Sequence, residues 1–148
     1  MAKRKRKPLS RSQMMSAIHS KNTTPELLVR RALFKLGFRY RLYRRDLPGS
    51  PDLVLTRYGV AIFINGCFWH QHGCKFTSRP KSNQNFWNSK FTNNIVRDMK
   101  VQHELLLQGF RVACVWECSV AGRGNMPTEQ VIERLAAFIK GDEERIEI

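Results

Sequence analysis

The densest chemistry in the sequence lies in Gly66-Cys67-Phe68-Trp69-His70-Gln71-His72-Gly73-Cys74. Two cysteines and a histidine spaced Cys-x4-His-x-Cys put three soft or borderline ligands within eight residues. Cys118 offers the third thiol that a tetrahedral Cys3His zinc site needs. Such a site has one nitrogen position, for which His70 and His72 compete. The imidazole left out is free for proton transfer near neutral pH, and spacing alone does not say which one that is. Cys114 sits among Val112, Val115 and Trp116 and suits the plainer role of a small core residue.

Two carboxylates stand apart from this cluster. Asp52 opens an apolar run after Pro51, where a carboxylate can hold a hard cation such as magnesium against a phosphate. Glu26 lies in the first turn of a helix, where a negative charge is favourable without any further role. Taken singly, each reads as ordinary structure. Phe68 and Trp69 are likewise core fillers, or wedges that a basic protein pushes into a base step.

The elements decide whether these groups meet. Thr23-Thr24-Pro25-Glu26 is a helix start, with a hydroxyl cap and proline in the first turn, and Gly37 is the stop. The expected buried face carries Leu28, Ala32 and Leu36. Strands are expected over Phe38 to Tyr43, Asp52 to Thr56 and Val60 to Asn65, with a loop at 46–51 and a turn at 57–59. Residues 66–84 read as irregular. A long helix should run from about Asn85 to Gln108, facing inward through Phe91, Ile95, Met99, Gln102 and Leu106. A strand from Phe110 to Trp116 and a helix from Pro127 to Ile139 complete the order, and Met14 to His19 suits a short early helix. Short connections make the first three strands an antiparallel meander, and the helical crossover returns the fourth parallel to the third. Cys67 and Cys118 then end on one side of the sheet. Asp52 begins at that same edge, close to His70.

Length and composition agree with one α/β domain. The chain has 148 residues, against a prior of ~100–200 per domain. It is 42% hydrophobic and 26% charged, enough to bury an ordinary core. Twenty-six basic against twelve acidic residues give +14; five of the positive charges lie in Lys3-Arg4-Lys5-Arg6-Lys7, and the remainder still carries +9. So diffuse a positive field favours a nucleic acid over a small acidic substrate. No apolar stretch reaches the ~20 residues of a membrane span, and no apolar run follows the basic N-terminus as in a secretory signal. A reducing cytoplasm is expected, where four cysteines serve metal or thiol chemistry. Residues 1–8 read as a disordered basic arm, 9–140 as a single domain and 141–148 as a loosely packed tail.

Ser50-Pro51-Asp52, the run from Phe63 to Gly66-Cys67-Phe68-Trp69-His70, and Val115-Trp116-Glu117-Cys118 resemble the very short patch repair mismatch endonucleases of bacteria. The likeness extends from about Arg11 to Ile139. It implies a restriction-endonuclease-like fold and magnesium-dependent nicking of one DNA strand beside the thymine of a thymine–guanine mismatch. Such mismatches arise by deamination of 5-methylcytosine. By resemblance, Asp52 holds magnesium with the backbone carbonyl of Ile64. His70 activates the attacking water, Glu26 stands near the metal's waters, and Asp98 orients His70. Cys67, His72, Cys74 and Cys118 correspond to structural zinc ligands. Phe68 and Trp69 match aromatics inserted beside the mismatch, Met15 a wedge from the opposite groove, and Lys90 and Asn94 readers of the mismatched pair. Ile64 stands where some members have Thr, and Asn65 where some have a histidine. Mismatched double-stranded DNA is the implied partner, with functional links to a cytosine-5 methyltransferase and mismatch-repair proteins. A monomer at the nucleoid is expected. The alternatives are a restriction-type nuclease cutting paired DNA and a non-catalytic zinc-containing DNA-binding protein.

Overall fold

Thr23 caps the first helix, its hydroxyl accepting the Glu26 N–H at 3.4 Å. This helix, α1 (Thr24–Lys35), ends at Leu36, and Gly37 follows at φ 94°. The structure, a computed structural model, describes residues 22–74, 77–120 and 127–148. Met15 and the helix expected over Met14 to His19 lie outside the described residues, as does the basic arm. After α1 come β1 (Arg41–Leu42), β2 (Leu53–Leu55) and a single 3-10 turn at Thr56–Tyr58. β3 (Val60–Asn65), α2 (Gln84–Leu107), β4 (Arg111–Trp116), α3 (Glu117–Val120), α4 (Thr128–Lys140) and β5 (Arg145–Glu147) complete the order.

The strands form one mixed sheet in the order β1-β2-β3-β4-β5. β1, β2 and β3 pair antiparallel, and β3 pairs parallel with β4 across the long crossover. Both faces of the central strands are covered, so alternate residues serve two cores. Leu53, Leu55, Val60, Ile62, Ala113 and Val115 pack against Val29 and Leu33 of α1 and against α4. Val54, Ala61 and Val112 point the other way, to Leu105 of α2. The loop before Asp52 is pressed onto α2 at Gly49. A Cβ there would collide with Val101, and φ is +70°, so the position suits glycine alone.

Several expectations are corrected. The inner face of α1 is Glu26, Val29, Arg30 and Leu33, while Leu36 is 55% exposed. Two charged side chains that satisfy each other can occupy a buried stripe, which apolar periodicity does not register. β1 spans only two residues, because Phe38 is tied back to the helix end through Leu33 O at 3.0 Å and Tyr43 turns at φ 48°. On α2, Phe91 and Leu105 are buried, but Met99 is 68% exposed and Ile95 also faces outward. The second half of α2 covers the sheet, and its first half packs on Phe68 and Trp69. The segment expected as a loose tail instead supplies β5, parallel to β4, with Ile148 buried.

Candidate active site and metal centre

Asp52 precedes β2 and is half-buried. Its Oδ2 accepts the Ile64 N–H at 2.7 Å, a contact set by the β2–β3 register. Burial pushes its carboxyl up to about 7; the Ile64 N–H opposes this, Glu26 adds to it, and Arg30 and His70 oppose it. The Asp52 carboxyl therefore feels the charges of Glu26, Arg30 and His70. A desolvated carboxylate near a second one is suited to a divalent cation, which would replace the missing solvation.

Glu26 is buried, and its Oε2 accepts from Arg30 Nη2 at 2.9 Å, the Asn22 N–H at 3.1 Å and the Tyr43 hydroxyl at 2.6 Å. His70 follows β3 in a turn, its N–H donating to Gly66 O at 3.2 Å. Its Nδ1 meets Asp98 Oδ2 of α2. That engagement orients the ring and leaves Nε2 for proton transfer. Asn65 is buried and donates its amide to Cys114 Sγ at 3.1 Å.

Cys67, His72, Cys74 and Cys118 bring their ligand atoms within 4.8 Å of one another. His72 Nδ1 lies 3.5 Å from Cys118 Sγ and 3.8 Å from Cys67 Sγ. The His72 ring stacks on Trp116 at 4.1 Å, and Trp116 Nε1 donates to Glu147 Oε1 at 2.7 Å. Three thiols and one imidazole form a donor set that fits a tetrahedral soft or borderline cation. Burial pushes the Cys67 thiol up to about 12, so binding a cation there must displace a proton. Cys114 lies in the same buried group but outside the ligand set, its thiol also held at about 12 by burial.

Beside these groups, Phe68 contacts Trp69, Trp87 and Phe91 edge-on at 5.1–5.8 Å. Asn94 donates to Trp69 O at 3.1 Å, and Lys90 Nζ lies 5.7 Å from the Trp69 ring centre. Four of the five residues expected at a DNA face thus adjoin one another, the fifth, Met15, lying outside the described residues. Trp87 joins them unanticipated, although its i,i+4 spacing to Phe91 was readable. Arg30, four residues after Glu26, carried a similar signal. Tyr43 carried none, because its contact with Glu26 spans a loop.

The family model for DNA mismatch endonuclease Vsr matches residues 4–76. The DNA mismatch endonuclease Vsr of Escherichia coli is 37% identical over 133 residues, covering 90% of this chain and 85% of that protein. The type II nicking enzyme V.NmeAIP of Neisseria meningitidis is 49% identical over 113 residues, 76% and 81% of the two chains. The type II nicking enzyme V.XorIIP of Xanthomonas oryzae is 43% identical over 117 residues, 79% and 86%. With the mixed sheet and its metal-suited edge, these likenesses place the chain among DNA endonucleases. It belongs to the DNA mismatch endonuclease Vsr family.

Proposed function

We propose that this chain nicks one strand of duplex DNA beside the thymine of a thymine–guanine mismatch, using magnesium, on a restriction-endonuclease-like fold. The observation that carries the reading is the adjacency of two groups. Asp52 lies within electrostatic reach of Glu26 and of His70, and His70 is paired with Asp98. Phe68, Trp69, Lys90 and Asn94 form a face on the same loop and helix.

Magnesium on Asp52 and the Ile64 carbonyl would supply Lewis acidity at the phosphate. His70, oriented by Asp98, accepts the proton of the attacking water at Nε2, a role typically worth ~10²–10⁴-fold. Glu26 would help hold the cation's solvent. Phe68 and Trp69 insert beside the mismatch, offsetting the lost base stacking with their own contacts, while Lys90 and Asn94 read the pair and Met15 enters from the other groove. Cys67, His72, Cys74 and Cys118 hold a structural zinc that braces the loop bearing His70. The working unit is a monomeric domain extending from about residue 9 through β5, acting in the cytoplasm at the nucleoid. Its functional neighbours are a cytosine-5 methyltransferase, whose product creates the lesion, and mismatch-repair proteins. Among the described residues no helix is long and apolar enough to cross a membrane.

The test compares a thymine–guanine heteroduplex with its fully paired counterpart, each incubated with magnesium. A single nick beside the mismatched thymine, and an intact paired duplex, is the expected result. Cleavage of both strands of paired DNA would instead make the protein a restriction-type nuclease. Binding without cutting at every magnesium concentration would make it a non-catalytic DNA-binding protein.

A further inference from the structure

Helix α1 buries a charge pair that stability does not account for. Arg30 Nη2 and Glu26 Oε2 lie 2.9 Å apart with both side chains buried. Desolvating two ions commonly costs as much as their attraction returns, so such a pair is weak ground for stability. Arg30 Nε is also buried without a partner among the described residues. The arrangement is nevertheless tightly determined. Glu26 Oε2 collects three donors, from Arg30, the Asn22 backbone and the Tyr43 hydroxyl. Arg30 in turn donates to Asn22 Oδ1 at 2.8 Å and meets the Tyr43 hydroxyl.

Two of these donor residues have left-handed backbones, Asn22 at φ 56° and Tyr43 at φ 48°. For a residue as bulky as tyrosine that conformation is strained and persists only where its surroundings hold it. Tyr43 also reaches Asp52, its backbone N–H donating to the Asp52 carbonyl at 3.4 Å. A single residue therefore links the Glu26 carboxylate, through its hydroxyl, to the backbone that carries Asp52, through its amide.

We propose that Tyr43, braced by Arg30, is a positioning residue that fixes the Glu26 carboxylate relative to Asp52 for binding of a divalent cation. The inference rests on the reading of Asp52 and Glu26 as carboxylates of a magnesium site. Three donors on one oxygen hold Glu26 in a single orientation. A cation then meets a preset spacing and does not have to order the side chain on arrival.

The test uses zinc-loaded protein and the variants Tyr43→Phe, Arg30→Gln and Glu26→Gln. Tyr43→Phe deletes one hydroxyl and keeps the ring, so it tests the idea even if Arg30→Gln fails to fold. Manganese binding is followed by electron paramagnetic resonance, and nicking of the mismatched duplex is measured across a magnesium titration. Tyr43→Phe should raise the half-saturating magnesium concentration and weaken manganese binding, each by about 5–20-fold. Its rate at saturating magnesium should stay within about twofold of the parent, because the group acts on cation binding and not on the reacting atoms. Unchanged metal affinity in both Tyr43→Phe and Arg30→Gln, with Glu26→Gln impaired, would overturn the positioning role alone. Parental metal dependence in Glu26→Gln would show that the underlying reading of Glu26 is wrong, and the proposal would fall with it.

Discussion

Asp52 is legible from sequence as a candidate, but its surroundings are not. Its carboxyl sits at about 7, against an ordinary 3.8, chiefly because burial disfavours the charge. Between those values the folded chain keeps a proton that the unfolded chain has released. Stability should therefore fall as pH rises from about 4 to about 7 and level off above, by on the order of a few kcal/mol for this group. Asp52→Asn keeps an oxygen for the Ile64 N–H and cannot ionise. Without added divalent cation, it should melt higher than the parent protein at pH about 8, and the two should converge near pH about 4. Added magnesium should raise the parent's melting temperature at the higher pH and leave the variant's unchanged. A parent–variant difference that does not vary with pH would show Asp52 ionised throughout. The same contrast between residue and surroundings holds at Asn65: the sequence shows an amide, but only the fold shows that amide committed to the Cys114 sulfur.

At the scale of elements, strand directions were readable because short turns and one long crossover allow few topologies. Helix faces were less so. α1 turns a paired Glu26 and Arg30 inward, and half of α2 packs on a loop instead of the sheet. β5 is not legible in the sequence because Arg145-Ile146-Glu147 is too short to show alternation, and its pairing with β4 is long-range. The metal cluster joins three elements: the loop after β3, the strand β4 through Trp116, and α3 through Cys118. If zinc occupies it, much of the binding free energy is folding free energy at this junction. Cys118→Ser should lower zinc content by elemental analysis and lower the melting temperature. Cys114→Ala should retain zinc, since that sulfur lies outside the ligand set. Folded parent protein that carries no zinc would remove the assignment.

Across the whole molecule, charge predicts the partner class and not the fold. Yet not every basic residue is available to a polyanion. Arg30 is buried against Glu26, and Arg111 donates to Phe138 O and Ile139 O, each at 2.7 Å, capping the end of α4. The Arg30–Glu26 pair cancels within the net +14, so the net field stands, but fewer basic side chains can reach a phosphate than the count of 26 suggests. Five of the 26 are Lys3 to Lys7. On the reading of residues 1–8 as an arm that contacts phosphates, its removal should act through counterion release alone. Affinity for any duplex should fall, and the slope of log affinity against log salt should flatten by up to about 4.5, since each phosphate contact contributes ~0.9. Discrimination between mismatched and paired DNA should persist, because phosphate contacts carry no sequence information. Turnover at saturating mismatched duplex should stay within about twofold, since affinity no longer limits it there. Binding measured from low to moderate salt, with single-turnover nicking alongside, separates the outcomes. An unchanged slope would mean the arm does not engage phosphates. Lost turnover with intact affinity would place the arm at the reacting strand.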